Sequence, residues 1–389
     1  MFLEEERKLI LKMIDEGKIS AEDGVKLLEA LNDPTDTGDR SQKQAGQSSE
    51  TTTTTSLSTK VNWEEGNKQW DKWNETRSER EKKPDFASMF TEFIDSAFQK
   101  IKEFDLDFNF GPYEEIHHIF QHKNLQEKRI DVALENGSID VKPWKENDVK
   151  IECQVKMYRG NSSEEARREF LKETVFETDD NELRFYTKTK AMKMKATMYV
   201  PEKSYDRLHM YTFNGHLTLD DVHAEKVLGK AMNGSVTFNN LEADTVEGET
   251  VNGAITIQNG AYDTVYLKTI SGSIHFNAKV EDVEAESVNG TINSTFSLEE
   301  DGKAKLSTVT GSIIANVPPH IKTEGYLSTS VGNIHYHFNE LHILEEKKDF
   351  MQKSLKFVSQ VDGSPRLLLD ASSKTGSLTV KEKDREGSF

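Results

Sequence analysis

Val246-Glu-Gly-Glu-Thr-Val-Asn-Gly253-Ala-Ile-Thr-Ile257 is the stretch that decides the fold of this chain. Before Gly253, small or apolar residues occupy alternate positions, and Ile255 and Ile257 continue the alternation after it. A period of two is typical of a half-buried strand, so the stretch predicts two short strands. The Asn-Gly pair between them predicts a tight corner, because both residues accept positive φ at little steric cost.

This pattern recurs through the C-terminal half of the chain at a nearly constant interval. From Gly215 to Gly332, successive marker glycines are separated by 19, 19, 19, 18, 21 and 21 residues. A fixed period in this range predicts a solenoid, in which each copy forms one coil and stacked coils share a thin core. The predicted corner glycines are Gly137, Gly215, Gly234, Gly253, Gly272, Gly290, Gly311, Gly332 and Gly376.

An antiparallel hairpin in each copy is the alternative, since Asn-Gly between alternating runs is also a hairpin signal. We favour a solenoid because the period is constant and the corner residue type recurs. The predicted fold class is therefore mainly β: a single β-solenoid of roughly 19-residue coils, with a small N-terminal α-helical hairpin and an amphipathic capping helix. The run Arg129 to Val141 already contains an Asn-Gly corner, so the first coil is expected to begin near residue 130.

Stacking brings equivalent positions of successive coils about 4.8 Å apart. Asn214, Asn233 and Asn252 are therefore expected to form a short internal ladder of side chains. The intervening positions of the strands carry charged side chains, which are expected to face water because burying them is costly. These residues are Glu247, Glu249, Lys268, Glu284 and Glu286.

Residues 1–32 are predicted to form a separate helical hairpin. Leu11 and Ile14 recur at helical spacing in its first helix, and Leu27 and Leu28 do so in the second. A hairpin of this size is too small to fold robustly alone, so its apolar faces are expected to bind a protein partner or a second copy. Basic residues do not gather on the second helix, which argues against a helix-turn-helix DNA reader.

Three further parts follow the hairpin. Residues 33–60 are predicted to be a disordered Ser/Thr/Gln linker, residues 61–110 an aromatic-rich helical segment, and residues 111–389 the β-solenoid domain. In the helical segment, Phe90 and Phe93 belong to one apolar face. That face is expected to cap an end of the solenoid; the alternative is an interfacial helix that presses into a membrane or a partner groove.

Composition limits the function classes. The 389 residues carry a net charge of -18, which opposes attraction to phosphates and predicts no nucleic-acid partner. No apolar run approaches membrane-spanning length, and the start lacks the order of a secretory signal. We therefore predict no transmembrane segment and a cytoplasmic location, with peripheral membrane or cell-surface association left open. The one cysteine, Cys153, lies in an alternating run and is predicted to be a core residue.

The sequence contains no phosphate-binding glycine loop, HExxH, GxSxG or paired-cysteine motif. We therefore predict no enzyme activity, no catalytic residue and no cofactor. His335 and His337 lie on one predicted strand face and are the best metal-ligand candidates, with His320 or His342 as a third ligand. Surface or packed histidines are the simpler interpretation, so no metal site is predicted.

The stretch Glu4 to Leu31 resembles the short N-terminal helical domain of YvlB-like proteins of Gram-positive bacteria. The Thr/Ser-Val-Asn/Ser-Gly-x-Ile copies resemble the "putative adhesin" repeat domain that follows it in that family, whose biochemical activity is unknown. This LiaX-like layout implies a non-enzymatic binding or scaffold role in the bacterial cell-envelope stress response, with a membrane-bound regulator as partner. The alternative is a surface-displayed adhesive or structural protein in which the hairpin is the oligomeriser.

The negative charge also suggests a ligand. An acidic solenoid is able to bind cationic peptides by electrostatic attraction, which is a physical route to sensing membrane-active peptides. The carboxylates expected to contribute are Glu247, Glu249, Glu284 and Glu286.

Overall fold

A computed structural model describes residues 112–158, 162–179, 181–349 and 352–383. The chain divides into two compact units, Met1–Lys83 and Pro84–Phe389, and every described residue belongs to the second. The predicted hairpin, linker and aromatic-rich segment lie outside the described residues and stay predictions. The same holds for the interface candidates Leu11, Ile14, Leu27, Leu28, Phe90 and Phe93.

Short strands joined by tight corners make up most of the described chain. The helix among them is α1, Ser163–Glu173. The strands are β1 Glu114–His122, β2 Arg129–Trp144, β3 Val149–Met157, β4 Thr174–Asp179, β5 Glu182–Thr187, β6 Met192–Pro201, β7 Ser204–Asn214, β8 Leu217–Asp220, β9 His223–Asn233, β10 Val236–Asn239, β11 Glu242–Asn252, β12 Ile255–Ser271, β13 Ile274–Asn289, β14 Ile292–Ser297, β15 Gly302–Thr310, β16 Ile313–Val317, β17 Lys322–Val331, β18 Ile334–His337, β19 Leu341–Lys348, β20 Lys353–Ser359, β21 Arg366–Thr375 and β22 Leu378–Glu382.

Successive copies of the repeat stack in parallel and in register. Val246 of β11 pairs with Val227 of β9 on one side and with Val265 of β12 on the other. The segments before the corner glycines, which we call long arms, form one ladder, the long-arm sheet. The segments after them, the short arms, form the short-arm sheet. The β-solenoid prediction is confirmed, and the hairpin alternative is wrong because the copies pair in parallel.

The core lies between the two sheets. Val227, Val246 and Val265 from the long arms and Val236 and Ile255 from the short arms are completely buried there. The residues that alternate with them point to the outer faces of the two sheets. Each coil adds one thin layer to this core, which explains how a chain with 35% hydrophobic residues folds without one large globular core.

The corner glycines form a column in which neighbouring backbones touch. A Cβ atom on Gly253 would lie 2.1 Å from the carbonyl oxygen of Gly234, and one on Gly272 would lie 1.9 Å from that of Gly253. No side chain fits at such distances. The corner therefore needs glycine chiefly because adjacent coils approach so closely, in addition to the backbone freedom that the sequence pattern suggested.

The Thr or Ser that stands three residues before seven of the nine corner glycines has a defined role. The Thr250 hydroxyl donates a hydrogen bond to the carbonyl of Gly234 at 2.8 Å, and Thr269 donates to Gly253 at 3.1 Å. These hydroxyls satisfy carbonyl groups inside the corner, where an unpaired acceptor would be costly. The same bond is made by Thr212, Ser287, Thr308, Thr329 and Ser373.

The predicted asparagine ladder is present. Asn252 donates to Asn233 and Asn233 donates to Asn214, both at 2.9 Å, and Asn214 donates to Asn136 at 2.7 Å. Asn136 extends the ladder by one coil. These side chains are half-buried or exposed, so the ladder runs along the surface of the corner and not inside the core.

A second corner, which the glycine pattern did not indicate, joins each short arm to the next long arm. Asp221, Asn240 and Asn259 have left-handed φ angles of 54°, 53° and 59° there. Asn240 donates a hydrogen bond to Asp221. Asp and Asn tolerate this conformation better than most residues, so their recurrence at nineteen-residue spacing is the signal for this corner.

The coils do not stack in chain order at either end. On the N-terminal side, the coil formed by β5 and β6 lies outside the coil of β2, which pairs on its other side with β7 and β8. The first coil of the chain does begin near residue 130, at Arg129, but it is the second coil of the stack. The corner residues identify a coil in the sequence but not the coil that it stacks against. Chain order alone therefore gives the wrong position for the coil of β2 in the stack.

The C-terminal end shows the same inversion. The last coil, β21 and β22, lies between the coil of β15 and β16 and the coil of β17 and β18. Gly376 accordingly contacts Gly311, and Gly332 contacts Gly376.

Antiparallel strands cover both ends of the stack. At the N-terminal end, β3 pairs with β6, β1 pairs with β3, and β4 pairs with β5. At the C-terminal end, β20 pairs with β17, and β19 pairs with β20. The helix α1 packs beside β1 and buries Phe170. These elements protect the terminal edges of the solenoid, which is the role the sequence assigned to the aromatic-rich helix.

Cys153 lies in β3 and is 2% exposed, which confirms the prediction that it is a core residue. Burial raises the pKa of its thiol to about 12.

The glycine column predicts a large effect from a small substitution. Gly253→Ala is expected to destabilise the protein by about 3 kcal/mol or more, because the new methyl group meets a backbone oxygen that cannot move independently. Gly248→Ala in the same coil is the matched control, since its methyl group would meet only side-chain carbons at 3.1–3.2 Å. Urea unfolding measures the free energy of unfolding of both variants. Equal losses of stability would contradict the steric role of the glycine column.

Candidate functional site

The outer faces of the two sheets differ in chemistry. The short-arm sheet presents mostly hydroxyl and amide side chains, as at Thr218, Thr237 and Thr256. The long-arm sheet presents charged columns and, two residues before the corner glycines, an apolar column: Phe213, Met232, Val251, Ile270 and Val288. Charged and apolar side chains thus occur together on the long-arm face.

The carboxylates expected to form an open acidic surface on this face are paired with lysines. Glu249 lies 2.7 Å from Lys230, and Glu286 lies 3.5 Å from Lys268. Glu247 lies 3.7 Å from Lys226, and Glu284 contacts Lys305. In three of these pairs lysine and glutamate occupy the same strand position in adjacent coils, so stacking brings opposite charges together; Lys226 is instead paired with Thr245, two positions from Glu247.

Two of these carboxylates are also buried. Glu247 is 6% exposed and Glu286 is 7% exposed, so the expectation that they face water is wrong. Burial raises the pKa of Glu286, and the attraction of Lys268 partly offsets that effect. These four residues therefore do not form a free acidic surface on the stacked coils.

A second charged cluster lies at the N-terminal end of the same face. Glu182 accepts ion-pair contacts from Arg184 at 2.8 Å and Arg207 at 2.6 Å, and Asp131 lies 3.2 Å from His209. The two arginines pair with the buried carboxylate of Glu182, as a buried charge requires. Among the described residues, Arg207 Nε and Asp131 Oδ1 are buried without a hydrogen-bond partner. This cluster has the character of a structural network.

A groove opens on the long-arm face toward the C-terminal end of the stack. Its volume is about 510 Å³, and Tyr266 and Tyr326 lie in its lining with 44% and 41% of their surfaces exposed. Leu344 of β19, which is 65% exposed, also lines it. The two tyrosines occupy equivalent positions four strand spacings apart, or about 19 Å along the stack.

Between the tyrosines lie Glu284, Lys305 and Asp370, each on the next strand of the ladder. Lys305 hydrogen-bonds Glu284. Burial opposes the charge on Lys305, but this bond and the attraction of Glu284 outweigh it and raise its pKa. Lys305 is thus held in its charged form and already donates a hydrogen bond to Glu284.

Asp370 is the less satisfied member of this row. Burial raises the pKa of its carboxyl group, and the attraction of Lys305 offsets this only in part. Within the described residues no hydrogen bond to this carboxylate is formed. Since the folded-state pKa is raised, ionised Asp370 costs stability at neutral pH, and the cost is relieved as the pH falls through that pKa.

This arrangement suits the binding of a cation that carries apolar neighbours. A positive group beside Asp370 would replace water lost from the carboxylate, and the exposed tyrosine rings and Leu344 offer apolar and cation–π contacts. A ligand of this kind has to be extended, because the tyrosines lie on separate strands of the stack.

Of the groove residues, the sequence singled out Glu284 but not the two tyrosines or Asp370. Tyr266 and Tyr326 stand at a position where the other coils have a charged residue, His or Leu, which is a weak signal that is visible only after the repeat is aligned. Asp370 comes to lie between Lys305 and Tyr326 only because the last coil is inserted out of chain order. No periodicity in the sequence contains that information.

His335 and His337 lie on the exposed side of β18, as their spacing predicts. In the part of the chain that the structure describes, no group of three His, Cys, Asp or Glu side chains is placed to hold a metal ion. The nine corner glycines are brought together in one structural column.

Residues 126–381, more than half of the chain, match the family model described as Toastrack DUF4097. The chain belongs to the Toastrack DUF4097 family. The toastrack domain thus coincides with the solenoid, and residues 5–36 match a model described as a SHOCT-like domain. The chain is also 36% identical over 383 residues to "Uncharacterized protein YvlB" of Bacillus subtilis, covering 98% of this chain and 100% of that protein. The resemblance to YvlB-like proteins is confirmed.

Solved structures similar to the toastrack domain include a "putative adhesin" from Bacteroides fragilis, with 14% identity, a TM-score of 0.39, and coverage of 69% of this chain and 97% of that one. A "putative lipid binding protein" from Parabacteroides distasonis has 11% identity and a TM-score of 0.37, with coverage of 69% and 97%. These similarities carry no argument about function.

Neither matching family description names a catalytic activity. Among the helices of the described ranges, none is long and apolar enough to cross a membrane.

Proposed function

We propose that this toastrack protein is a non-enzymatic binding and scaffold protein of the bacterial cell-envelope stress response, and that its groove binds a cationic peptide. The observation that carries the ligand assignment is Asp370: a desolvated carboxylate without a hydrogen bond from the described residues, between two exposed tyrosines. The assignment to envelope stress rests on membership of the YvlB-like family.

A lysine or arginine side chain of the ligand would form a charge-assisted hydrogen bond with Asp370. Flanking apolar side chains would contact Leu344 and the rings of Tyr266 and Tyr326. The net charge of -18 would increase the association rate of a cationic peptide before contact is made. These roles replace the open acidic surface that the sequence suggested.

The N-terminal hairpin is assigned the recruiting role. Leu11, Ile14, Leu27 and Leu28 supply apolar faces that suit a protein partner, either a membrane-bound stress regulator or a second copy of this chain. On this proposal the protein is cytoplasmic and associates peripherally with the membrane when the partner is engaged.

Calorimetry with a synthetic peptide of alternating lysine and leucine tests the groove. Asp370→Asn is expected to weaken binding about tenfold, the cost of losing one charge-assisted hydrogen bond. Affinity is also expected to fall as the pH drops through the raised pKa of Asp370, because protonation removes the negative charge.

Asp263→Asn is the matched control. Asp263 is an exposed carboxylate that does not line the groove, so the substitution makes the same change in net charge away from the proposed contact. If the two substitutions weakened binding equally, only the net charge of the protein and not the position of Asp370 would matter for affinity. If the native protein did not bind the peptide, the peptide ligand would be ruled out.

Cell fractionation tests the scaffold role. The full chain is expected to move to the membrane fraction when a membrane-active peptide is added, and a chain lacking residues 1–32 is expected to stay in the cytosol. Exposure at the cell surface that does not depend on residues 1–32 would instead support the adhesive or structural alternative. A cytosolic pool under every condition would contradict both.

A further inference from the structure

The C-terminal end of the stack is covered on the long-arm sheet but not on the short-arm sheet. On the long-arm sheet, β20 pairs with β17, and β19 pairs with β20. On the short-arm sheet, β18 pairs with β22 on one side, and no strand of the described ranges pairs with its other side. At the N-terminal end, by contrast, β4 and β3 cover the terminal coil strands β5 and β6. We call the uncovered side of β18 the open edge.

Backbone groups that are paired between the other coils are exposed at the open edge. The N–H of Leu378 donates to the carbonyl of Asn333 at 2.9 Å, and the equivalent bond forms at each earlier coil contact from the coil of β2 onward. Ile334 holds this position in the last coil, because it pairs with Leu378. Its N–H therefore points away from β22, and that of Tyr336, two residues further on, points the same way.

The space beside the open edge is lined by apolar side chains. Ile334 and Tyr336 point toward the core but are only half-buried. Ile343 of β19 points into the same space, because it lies opposite Phe357, whose ring is 5.3 Å from that of Phe338 at the end of β18. Ile343 is nevertheless 44% exposed, so the space is open.

The open edge lacks the features that normally prevent a strand from pairing. The neighbouring edge strand β19 carries Glu345, Glu346, Lys347 and Lys348, and such charges discourage the addition of another strand. β18 is Ile-His-Tyr-His and contains no Asp, Glu, Lys, Arg or Pro. Its four residues equal the length of β8 and β10, which pair on both sides within the stack. Shortness alone therefore does not protect this edge.

We propose that the open edge binds an extended segment of a protein partner, which adds to the short-arm sheet as a further strand. Backbone hydrogen bonds to Ile334 and Tyr336 would continue the ladder, and alternate apolar side chains of the segment would fill the space beneath β19. The inference does not depend on what the groove binds.

The overhang of the long-arm sheet limits what fits at the open edge. β20 and β19 extend that sheet past the last coil by two strand spacings, or about 9.6 Å. If β18 paired with β18 of a second copy, the two long-arm sheets would be one spacing apart, where both copies already have β20 and β19. If β18 paired with β1 of a second copy, β4 of that copy would coincide with β19. One or two extended strands fit, but a second solenoid does not.

A peptide copy of a short arm is the probe for the open edge. The peptide Thr291–Ser297, acetylated and amidated, places Ile292 and Phe296 at alternate positions and carries no charge. It therefore offers no cation to Asp370 in the groove. Fluorescence anisotropy of the labelled peptide measures its affinity for the full-length chain.

Methylation of alternate backbone nitrogens tests whether the peptide binds as a strand. In the solenoid, the carbonyl of Thr291 accepts a hydrogen bond from the preceding coil, so Asn293 and Thr295 also turn their backbone groups toward that coil. We expect N-methylation of Asn293 and Thr295 to weaken binding about tenfold or more, because two N–H donors are lost. N-methylation of Ile292 and Ser294, whose N–H groups point away, is the matched control and should leave the affinity unchanged.

Two variants of the protein test the location of the site. Tyr336→Pro removes an N–H from the open edge, and Pro is tolerated on an edge strand when its nitrogen faces away from the sheet. Tyr336→Ala removes the same ring but keeps the N–H. We expect Tyr336→Pro to bind the peptide about tenfold or more weakly than Tyr336→Ala. Asp370→Asn should bind it as the native chain does, which separates this site from the groove.

No binding by the native chain would overturn the proposal, as would equal effects of the two methylation patterns or of the two Tyr336 substitutions. Binding that weakens as the protein concentration rises would show that a second copy occupies the edge. Binding that requires deletion of residues 384–389 would show that the chain's own C-terminus does. Circular dichroism shows whether each variant is folded. If Tyr336→Pro does not fold, the methylated peptides decide the outcome, because they are measured with the native chain.

Discussion

The close approach of backbones at the corner glycines is the constraint on which the rest of the structure depends. A methyl group at Gly253 or Gly272 would lie about 2 Å from a carbonyl oxygen of the adjacent coil. This contact fixes the register of neighbouring coils. The register in turn places each Thr or Ser hydroxyl on a glycine carbonyl, each asparagine on the next, and each lysine beside a glutamate. The motif therefore repeats because the same close backbone contact has to form between each pair of adjacent coils.

The features that depend on this backbone contact could be predicted from the sequence. The features that the contact does not determine were missed. Corner position, parallel stacking, the asparagine ladder and the burial of Cys153 all follow from local pattern, and all were predicted. The order of the coils was not, because any coil with a glycine corner fits beside any other. The burial of Glu247 and Glu286 was also missed, since alternation assigns a side chain to an outer face without saying whether that face meets water.

The candidate site depends on the coil order. Insertion of β21 between β15 and β17 brings Asp370 between Lys305 and Tyr326 and so completes the groove. The long-arm face thus carries exposed tyrosines, Tyr266 and Tyr326, as well as buried carboxylates, Glu247 and Glu286. A thin-walled solenoid can specialise one face in this way because its core places few demands on the residues that point outward.

Disulfide trapping tests the coil order most directly. Ser307 and Ser372 are paired across adjacent strands with their hydroxyl oxygens 3.2 Å apart, whereas Ser328 lies one strand further away. Adjacent strands are about 4.8 Å apart and can be bridged, but strands two spacings apart, about 9.6 Å, cannot. The account predicts that Ser307→Cys with Ser372→Cys forms a disulfide on oxidation and that Ser307→Cys with Ser328→Cys does not. The reverse result would mean that the coils stack in chain order, and the groove as described would not exist.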